Sequence, residues 1–87
     1  METTLNLLKA RLGITKKNRD EYLQAIINGI LTELKERQGL IIDLVRPDHL
    51  MFVVDYATYR YQNVSEESGM PRHLQWRLHN LLVGESR

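Results

Sequence analysis

The chain has 87 residues, 43% of them hydrophobic and 26% charged, and twelve Lys and Arg against eleven Asp and Glu leave a net charge of +1. This length predicts a single domain over residues 1–87, and the composition is typical of a globular fold. Such a balanced charge argues against an obligate nucleic-acid or acidic-membrane partner. Because the chain has no cysteine, disulfides, thiolate zinc sites and cysteine catalysis are excluded. The first residues do not follow a secretory signal pattern, and the longest apolar run, 50–54, is too short to cross a bilayer.

A short first helix is predicted over residues 4–13. Thr3 or Thr4 is placed to cap its start, and Gly13 suits the position just after its end. One face carries apolar side chains at helical spacing: Leu5, Leu8 and Leu12.

The second segment predicts the longest helix of the chain. Asn18 followed by Glu21 resembles a capping box, and Gly39 ends the helix. Gly29 is costly in a helix interior, so we expect a close packing contact there. One continuous apolar stripe is predicted to face the core: Leu23, Ile26, Ile27, Ile30, Leu31 and Leu34.

Residues 40–45 fit either an extended connector or a short strand. An isolated strand is not stable without a pairing partner. If the segment is extended, we expect it to lie on its own helices or to pair with a neighbouring chain.

The third helix, which opens at Pro47, is apolar almost all round. A projection at about 100° per residue gives one core face: Leu50, Val53, Val54, Ala57 and Tyr61. The opposite side carries Asp55 and a second set of large side chains: Phe52 and Tyr59, flanked by Met51 and Tyr56. A helix with two apolar faces belongs in a large core, a membrane or an interface. Because a chain of this length has a small core and the helix contains Asp55 and Arg60, the second face predicts an interface.

A polar loop over 62–69 and Pro71 precede the last helix, which is predicted to run to Val83. Trp76 and Val83 project away from its core stripe. Four leucines form that stripe: Leu74, Leu78, Leu81 and Leu82. Together the segments predict an all-α fold, a small bundle of about four helices with one long central helix.

No catalytic, cofactor-binding or metal site is predicted, and we expect no enzyme. The three histidines, His49, His73 and His79, form no His-x-x-x-His or Glu-x-x-His pair, so we expect them at the surface or at helix caps. Glu66 and Glu67 are adjacent, but their polar loop offers no pocket that would desolvate a carboxylate. The chain has no glycine-rich phosphate loop and no nucleophile motif.

A small helical DNA-binding regulator is the alternative function. The last helix carries side chains that could read base edges in a major groove: Arg72, His73, Gln75, Arg77, His79 and Asn80. The near-neutral charge and the long connection before this helix disfavour a helix-turn-helix reader.

The large side chains on the outer faces of the last two helices form the candidate subunit or partner interface: Phe52, Tyr56, Tyr59, Trp76 and Val83. Burying one large apolar side chain is worth roughly 1.5–3 kcal/mol. Burying several would therefore be comparable with the net stability of a whole domain, about 5–15 kcal/mol. Tyr and Trp are also typical anchors of interfaces, so we predict an oligomer or partner contact on these faces.

Three segments carry a resemblance to a known family. They are Leu-Leu-Lys-Ala-Arg-Leu-Gly-Ile at 7–14, Val-Asp-Tyr-Ala-Thr-Tyr-Arg-Tyr-Gln-Asn at 54–63, and Gly-Met-Pro-Arg-His-Leu-Gln-Trp-Arg-Leu-His-Asn-Leu at 69–81. In this order and spacing the chain resembles the head–tail connector (adaptor) proteins of long-tailed bacteriophages.

The resemblance implies a small all-helical virion protein, made in the bacterial host cytoplasm and without enzymatic activity. Copies of such a protein form a ring beneath the portal, twelve by symmetry with the portal. In that family the free protein can be a monomer that assembles only on the portal. The ring continues the DNA channel, through which DNA passes without sequence recognition. It also docks the next connector or tail protein. A ring needs two different contact surfaces on each subunit, and the outer faces of the last two helices could supply them.

Overall fold

The structure, a computed structural model, describes residues 2–63 and 70–85, and all regular secondary structure within these ranges is helical. Four α-helices follow one another, and a single 3-10 turn, Lys17–Arg19, precedes the second: α1 at Glu2–Leu12, α2 at Asp20–Gln38, α3 at Pro47–Gln62 and α4 at Arg72–Glu85. The predicted all-α bundle of four helices is confirmed. Most of the polar loop predicted over 62–69, including Glu66 and Glu67, lies outside the described residues.

The end of α1 is fixed by a glycine turn. Gly13 adopts a left-handed conformation with φ 73°, which costs glycine little because it has no Cβ. The N–H of Ile14 then donates to the carbonyl of Lys9 at 2.9 Å, as in a Schellman motif. At the other end, Thr3 and Thr4 lie inside the helix, so the prediction that either caps it is wrong.

The chain enters α2 through the 3-10 turn rather than through a capping box. Neither of the two N-cap residues, Lys16 and Arg19, makes a side-chain cap hydrogen bond. The capping box predicted from Asn18 is wrong, because the tight turn places Asn18 inside the 3-10 segment. Asp20, the first residue of α2, instead forms an ion pair with Lys9 of α1 at 2.7 Å. The helix ends at the predicted Gly39, which has φ 69°.

The longest helix and the central helix are two different helices. α2 is the longest, with 19 residues, but α3 is the helix that contacts α1, α2 and α4. Because three helices surround α3, Phe52 and Tyr56 of its second apolar face are buried, whereas Met51 of that face remains exposed. The prediction of one long central helix is therefore only partly correct.

The core is built on α3, and the predicted stripes of α1, α2 and α4 all pack towards it. Leu8, the middle residue of the predicted α1 stripe, is fully buried. The fully or nearly buried apolar side chains of the other helices are Leu23, Ile27, Ile30 and Leu34 of α2, Phe52, Val53, Val54, Tyr56 and Ala57 of α3, and Leu74 and Leu78 of α4. The remaining predicted stripe residues pack against this core and are half-buried: Leu5, Leu12, Ile26, Leu31, Leu81 and Leu82.

Residues 40–46 form a connector without regular secondary structure, ending in a turn. Its side chains alternate: Leu40 is buried in the core, whereas Ile41 is 70% exposed and Val45 is 89% exposed. The buried His49 of α3 holds this turn, since its Nδ1 accepts a hydrogen bond from the N–H of Asp43 at 2.9 Å. The segment therefore lies on its own helices, as one of the two predicted alternatives requires.

Candidate interaction surface

The outer side of α4 carries the largest exposed apolar side chain of the described residues. Trp76 is 65% exposed, and Val83, two turns further along, is also exposed. Leu74 and Leu78 bury the opposite side of the same helix against α3. The indole of Trp76 stacks on the ring of His79, with 5.9 Å between the ring centroids. Trp76 is therefore oriented by its own helix while most of its surface faces solvent.

A groove separates α4 from α2 because both helices pack on α3 and, within the described residues, not on each other. Its volume is about 920 Å³, and its floor is formed by Tyr56, Tyr59 and Arg60 of α3. Gly29 lies on the α2 wall, where no atom lies within 4 Å of the position of a Cβ. The close packing contact expected at Gly29 is therefore absent from the described part of the chain.

Glu33 links α2 to α3 at one side of this groove. Its carboxylate lies 3.2 Å from the guanidinium of Arg60 and 3.8 Å from that of Arg37. The hydroxyl of Tyr56 donates to Glu33 at 3.5 Å, and the guanidinium of Arg60 lies 5.2 Å from the centre of the Tyr56 ring. Burial raises the pKa of Tyr56 above its ordinary value; Arg60 opposes this rise and Glu33 adds to it. The hydroxyl of Tyr56 is therefore bound to α2 through Glu33, and its ring is covered by Arg60.

Asp55 joins three helices. It forms ion pairs with Arg11 of α1 and with Arg77 of α4, two helices whose Cα atoms come no closer than 8 Å to each other in the described residues. Burial alone would raise the pKa of Asp55, but the hydrogen bonds and charges of Arg77 and Arg11 outweigh it and hold that pKa below its ordinary value. The guanidinium of Arg77 also lies 5.8 Å from the centre of the Phe52 ring.

The structure divides the five predicted interface residues. Phe52 and Tyr56 are buried, so the prediction that they lie on an outer face is wrong: α1, α2 and α4 surround α3 and cover the side that we assigned to a partner. Tyr59 is half-buried and packs against the core. Trp76 and Val83 are exposed, as the projection predicted. Whether they form an interface remains a prediction.

Five exposed apolar residues were missed as candidate interface residues, and Ile41 and Val45 are more exposed than the other three, Leu7, Tyr22 and Met51. Ile41 and Val45 belong to the segment that the sequence left ambiguous. The exposure of these two residues follows from the even-and-odd pattern of the segment. Leu40, Ile42 and Leu44 pack inward, so the odd-numbered residues between them point outward.

The described residues contain no group of three or more His, Asp or Glu side chains that could hold a metal ion. His73 and His79 are exposed on α4, as expected. The expectation that His49 lies at the surface or at a cap is wrong, because it is buried and its ring accepts a hydrogen bond from the connector. The carboxylates of Asp55 and Glu33 form ion pairs with arginine side chains of other helices. These ion pairs help to hold the helices together. Among the described helices, none is long and apolar enough to cross a membrane.

The comparisons with known proteins do not add a relative. Searches against protein-family models, curated proteins and solved structures find no match for this chain.

Proposed function

We propose that this chain is a bacteriophage head–tail connector that assembles as a ring beneath the portal of the virion, continues the DNA channel and docks the next connector or tail protein. The exposure of Trp76 carries the proposal, because it is 65% exposed on the outer side of a helix, and tryptophan is among the residue types that most often anchor interfaces. The three sequence segments that resemble this family, 7–14, 54–63 and 69–81, support it.

The distribution of exposed apolar residues also supports assembly. Trp76 and Val83 lie on α4, and Ile41 and Val45 lie on the connector before α3. Each subunit of a ring uses two different surfaces, one for each neighbour. A ring subunit that also docks a portal therefore needs several such surfaces. Exposed apolar residues also lie on α1, α2 and α3, namely Leu7, Tyr22 and Met51.

Binding to the portal tests the proposal directly. The purified chain is mixed with the portal protein encoded by the same genome, and the particles are examined by electron microscopy. We expect an added ring of density on one end of the portal. Particles that stay unchanged at saturating concentrations of the chain would contradict the proposal.

A pair of variants tests whether Trp76 contributes through assembly. Trp76→Ala should weaken binding to the portal by roughly 10- to 100-fold, the equivalent of one buried large apolar side chain. Asn80→Ala, an exposed position on the same helix, should leave binding unchanged. The melting temperature of both variants should stay close to that of the parent. A large fall in melting temperature for Trp76→Ala would instead make Trp76 a residue of the fold.

The purified chain can also be used to test the alternative function, a DNA-binding regulator. Arg77 of α4 is bound to Asp55, which leaves Arg72 as the arginine on this helix that could reach a phosphate without breaking an ion pair of the core. Filter binding across a salt series measures the outcome. Tight binding that favours one sequence, with a steep dependence on salt, would favour a DNA-binding regulator over a connector.

A further inference from the structure

The charge of this chain is unevenly distributed along its length. Residues 9–19 carry five Lys and Arg and no Asp or Glu, so the rest of the chain carries seven Lys and Arg against eleven Asp and Glu. A local surplus of positive charge is typical of surfaces that contact nucleic acid. We propose that the turn between α1 and α2 binds the phosphates of duplex DNA without sequence preference. The contact is made by three side chains, which we call the basic turn: Lys16, Lys17 and Arg19.

The basic turn carries the positive charge that the fold leaves available. Lys9 is bound to Asp20 at 2.7 Å, and Arg11 is bound to Asp55. The three residues of the basic turn form no ion pair with any described residue, and all three are exposed. Because Lys9 neutralises Asp20, the acid that directly follows the turn does not cancel its charge.

Arg19 is held in position by the end of α3. Its guanidinium donates to the hydroxyl of Tyr61 at 2.8 Å and lies 5.9 Å from the centre of the same ring. Tyr22 of α2 packs near Tyr61, with 6.0 Å between the ring centroids. The hydroxyl is a neutral acceptor, so the charge of Arg19 is not neutralised, and other N–H donors of its guanidinium remain for a phosphate. A side chain that is already ordered loses less freedom on binding.

The composition of the turn favours a nucleic-acid backbone over a protein or a membrane. Every residue from Thr15 to Arg19 is polar and exposed, whereas protein–protein interfaces are depleted in lysine. Segments that bind anionic membranes typically have about four to eight Lys and Arg, more than the basic turn provides. Duplex DNA presents a phosphate about every 1.7 Å along its axis, so even a narrow turn meets several phosphates.

The proposal does not depend on the proposed function. A head–tail connector lets DNA pass through its ring, which by itself requires no binding site on the chain. The basic turn is inferred from its charge, its exposure and the placement of Arg19. It also differs from the DNA-binding regulator, which would read base edges with α4. Contacts to a few phosphates are weak and allow DNA to slide.

A salt titration of DNA binding tests the proposal. The full chain is titrated against two fluorescein-labelled duplexes of unrelated sequence, and the anisotropy gives the affinity across a salt series. Both duplexes should bind equally weakly. The logarithm of the binding constant should fall with the logarithm of the salt concentration with a slope of about −3, because three phosphates are neutralised. No binding at the lowest salt, or a marked preference for one duplex, would overturn the proposal.

Two double variants of equal net charge locate the contact. Lys16→Gln with Lys17→Gln should weaken binding about tenfold or more and reduce the slope to about −1. Lys35→Gln with Arg37→Gln removes the same charge at the opposite, exposed end of α2, about 25 Å along the helix. At an ionic strength of about 0.1 M, charges are screened over about 10 Å, so this variant should bind like the parent. Equal losses in two variants that melt like the parent would overturn the proposal.

An acid beside the basic turn gives a measurement of the opposite sign. Glu21 is exposed and forms no ion pair with a described residue. Glu21→Gln should tighten DNA binding roughly twofold or more, because it removes a charge that repels a phosphate at the turn. Glu36→Gln, at the opposite end of α2, should leave the affinity unchanged. An affinity that does not rise in Glu21→Gln would overturn the placement of the phosphates at the turn.

Two other partners distinguish the remaining outcomes. Binding to vesicles of phosphatidylglycerol and phosphatidylcholine, but not to the duplexes, would overturn the proposal in favour of a membrane surface. The Lys16→Gln, Lys17→Gln variant should bind the portal like the parent. Weaker portal binding with unchanged DNA binding would overturn the proposal in favour of an acidic protein surface. The expected DNA binding by a chain that does not bind the portal would support the basic turn and contradict the connector function.

Discussion

Gly29 and Gly39 both have open space where a Cβ would stand, and they differ in backbone conformation. Gly29 is helical within α2, whereas Gly39 has φ 69°. Gly29→Ala should therefore raise the free energy of unfolding by roughly 0.5–1 kcal/mol, because alanine is the better helix former. Gly39→Ala should lower it, because a side chain is strained at positive φ. Urea denaturation of both variants measures whether each change raises or lowers the free energy of unfolding. A destabilised Gly29→Ala would contradict the open space that the structure shows beside Gly29.

Phe52 and Trp76 are both large aromatic residues that the sequence assigned to an interface, and they should behave oppositely in the isolated protein. Phe52 is fully buried, so Phe52→Ala should cost about 3–5 kcal/mol of unfolding free energy. Trp76→Ala should cost less than about 1 kcal/mol. Chemical denaturation checks both, with Phe52→Leu as the milder variant if Phe52→Ala does not fold. Similar losses at the two positions would contradict the burial described here.

The sequence could predict the direction of the Phe52 side chain relative to that of Val53, but it could not predict how many helices surround α3. Helical projection fixes the angle between two side chains on one helix. It does not count the neighbours of that helix, and α3 has three. The outward position of Trp76 was predicted correctly, because its helix packs on one neighbour, so one face is core and the other is outside.

At the scale of the elements, Asp55 is the carboxylate that ties α1 and α4 to α3. Because the pKa of Asp55 is lowered in the folded protein, the ionised form is favoured there. Its contribution to stability is therefore present above the pKa of an unfolded aspartate, about 3.9, and is lost as the pH falls through the lower folded pKa. Asp55→Asn should remove this contribution, so its free energy of unfolding should fall less steeply with acid than that of the parent.

Urea denaturation at about pH 6 and again about one unit below the unfolded aspartate pKa measures this difference. Glu36→Gln is the matched control, since Glu36 is exposed and forms no ion pair with a described residue. It should leave the acid dependence close to that of the parent. If Asp55→Asn behaves like this control, the bridge between α1 and α4 contributes nothing to stability.

The helices were predictable because each has a strong local signal, whereas the capping residues at the starts of α1 and α2 were not. Gly13, Gly39 and Pro47 mark helix boundaries through backbone preferences that act within a few residues. The entry into α2 depends instead on how the chain turns back from α1, where Lys9 reaches Asp20. Because that contact joins residues of two helices, it cannot be predicted from a capping pattern within one segment. The connector was left ambiguous for a similar reason, because its buried side depends on the helices beneath it.

On the scale of the whole molecule, the single tryptophan makes assembly measurable at one site. Incorporating 5-fluorotryptophan into this chain alone gives one ¹⁹F resonance, from Trp76, and the portal contributes none. The free protein should show the shift and solvent isotope effect of an exposed indole, and both should move towards those of a buried one when the ring assembles. Binding to the portal with an unchanged resonance would place Trp76 outside every contact of the assembly.

The attachment of α4 to α3 alone has a consequence for the order in which the protein opens. α1 and α2 contact each other as well as α3, whereas α4 contacts only α3 in the described residues. Local unfolding follows such differences in packing, so the amides of α4 should exchange with deuterium before those of α2 and α3, which exchange only on global unfolding. The helix that carries Trp76 can then release and re-form as a separate cooperative unit. Such a unit would let α4 rearrange its outer surface while α1, α2 and α3 remain folded.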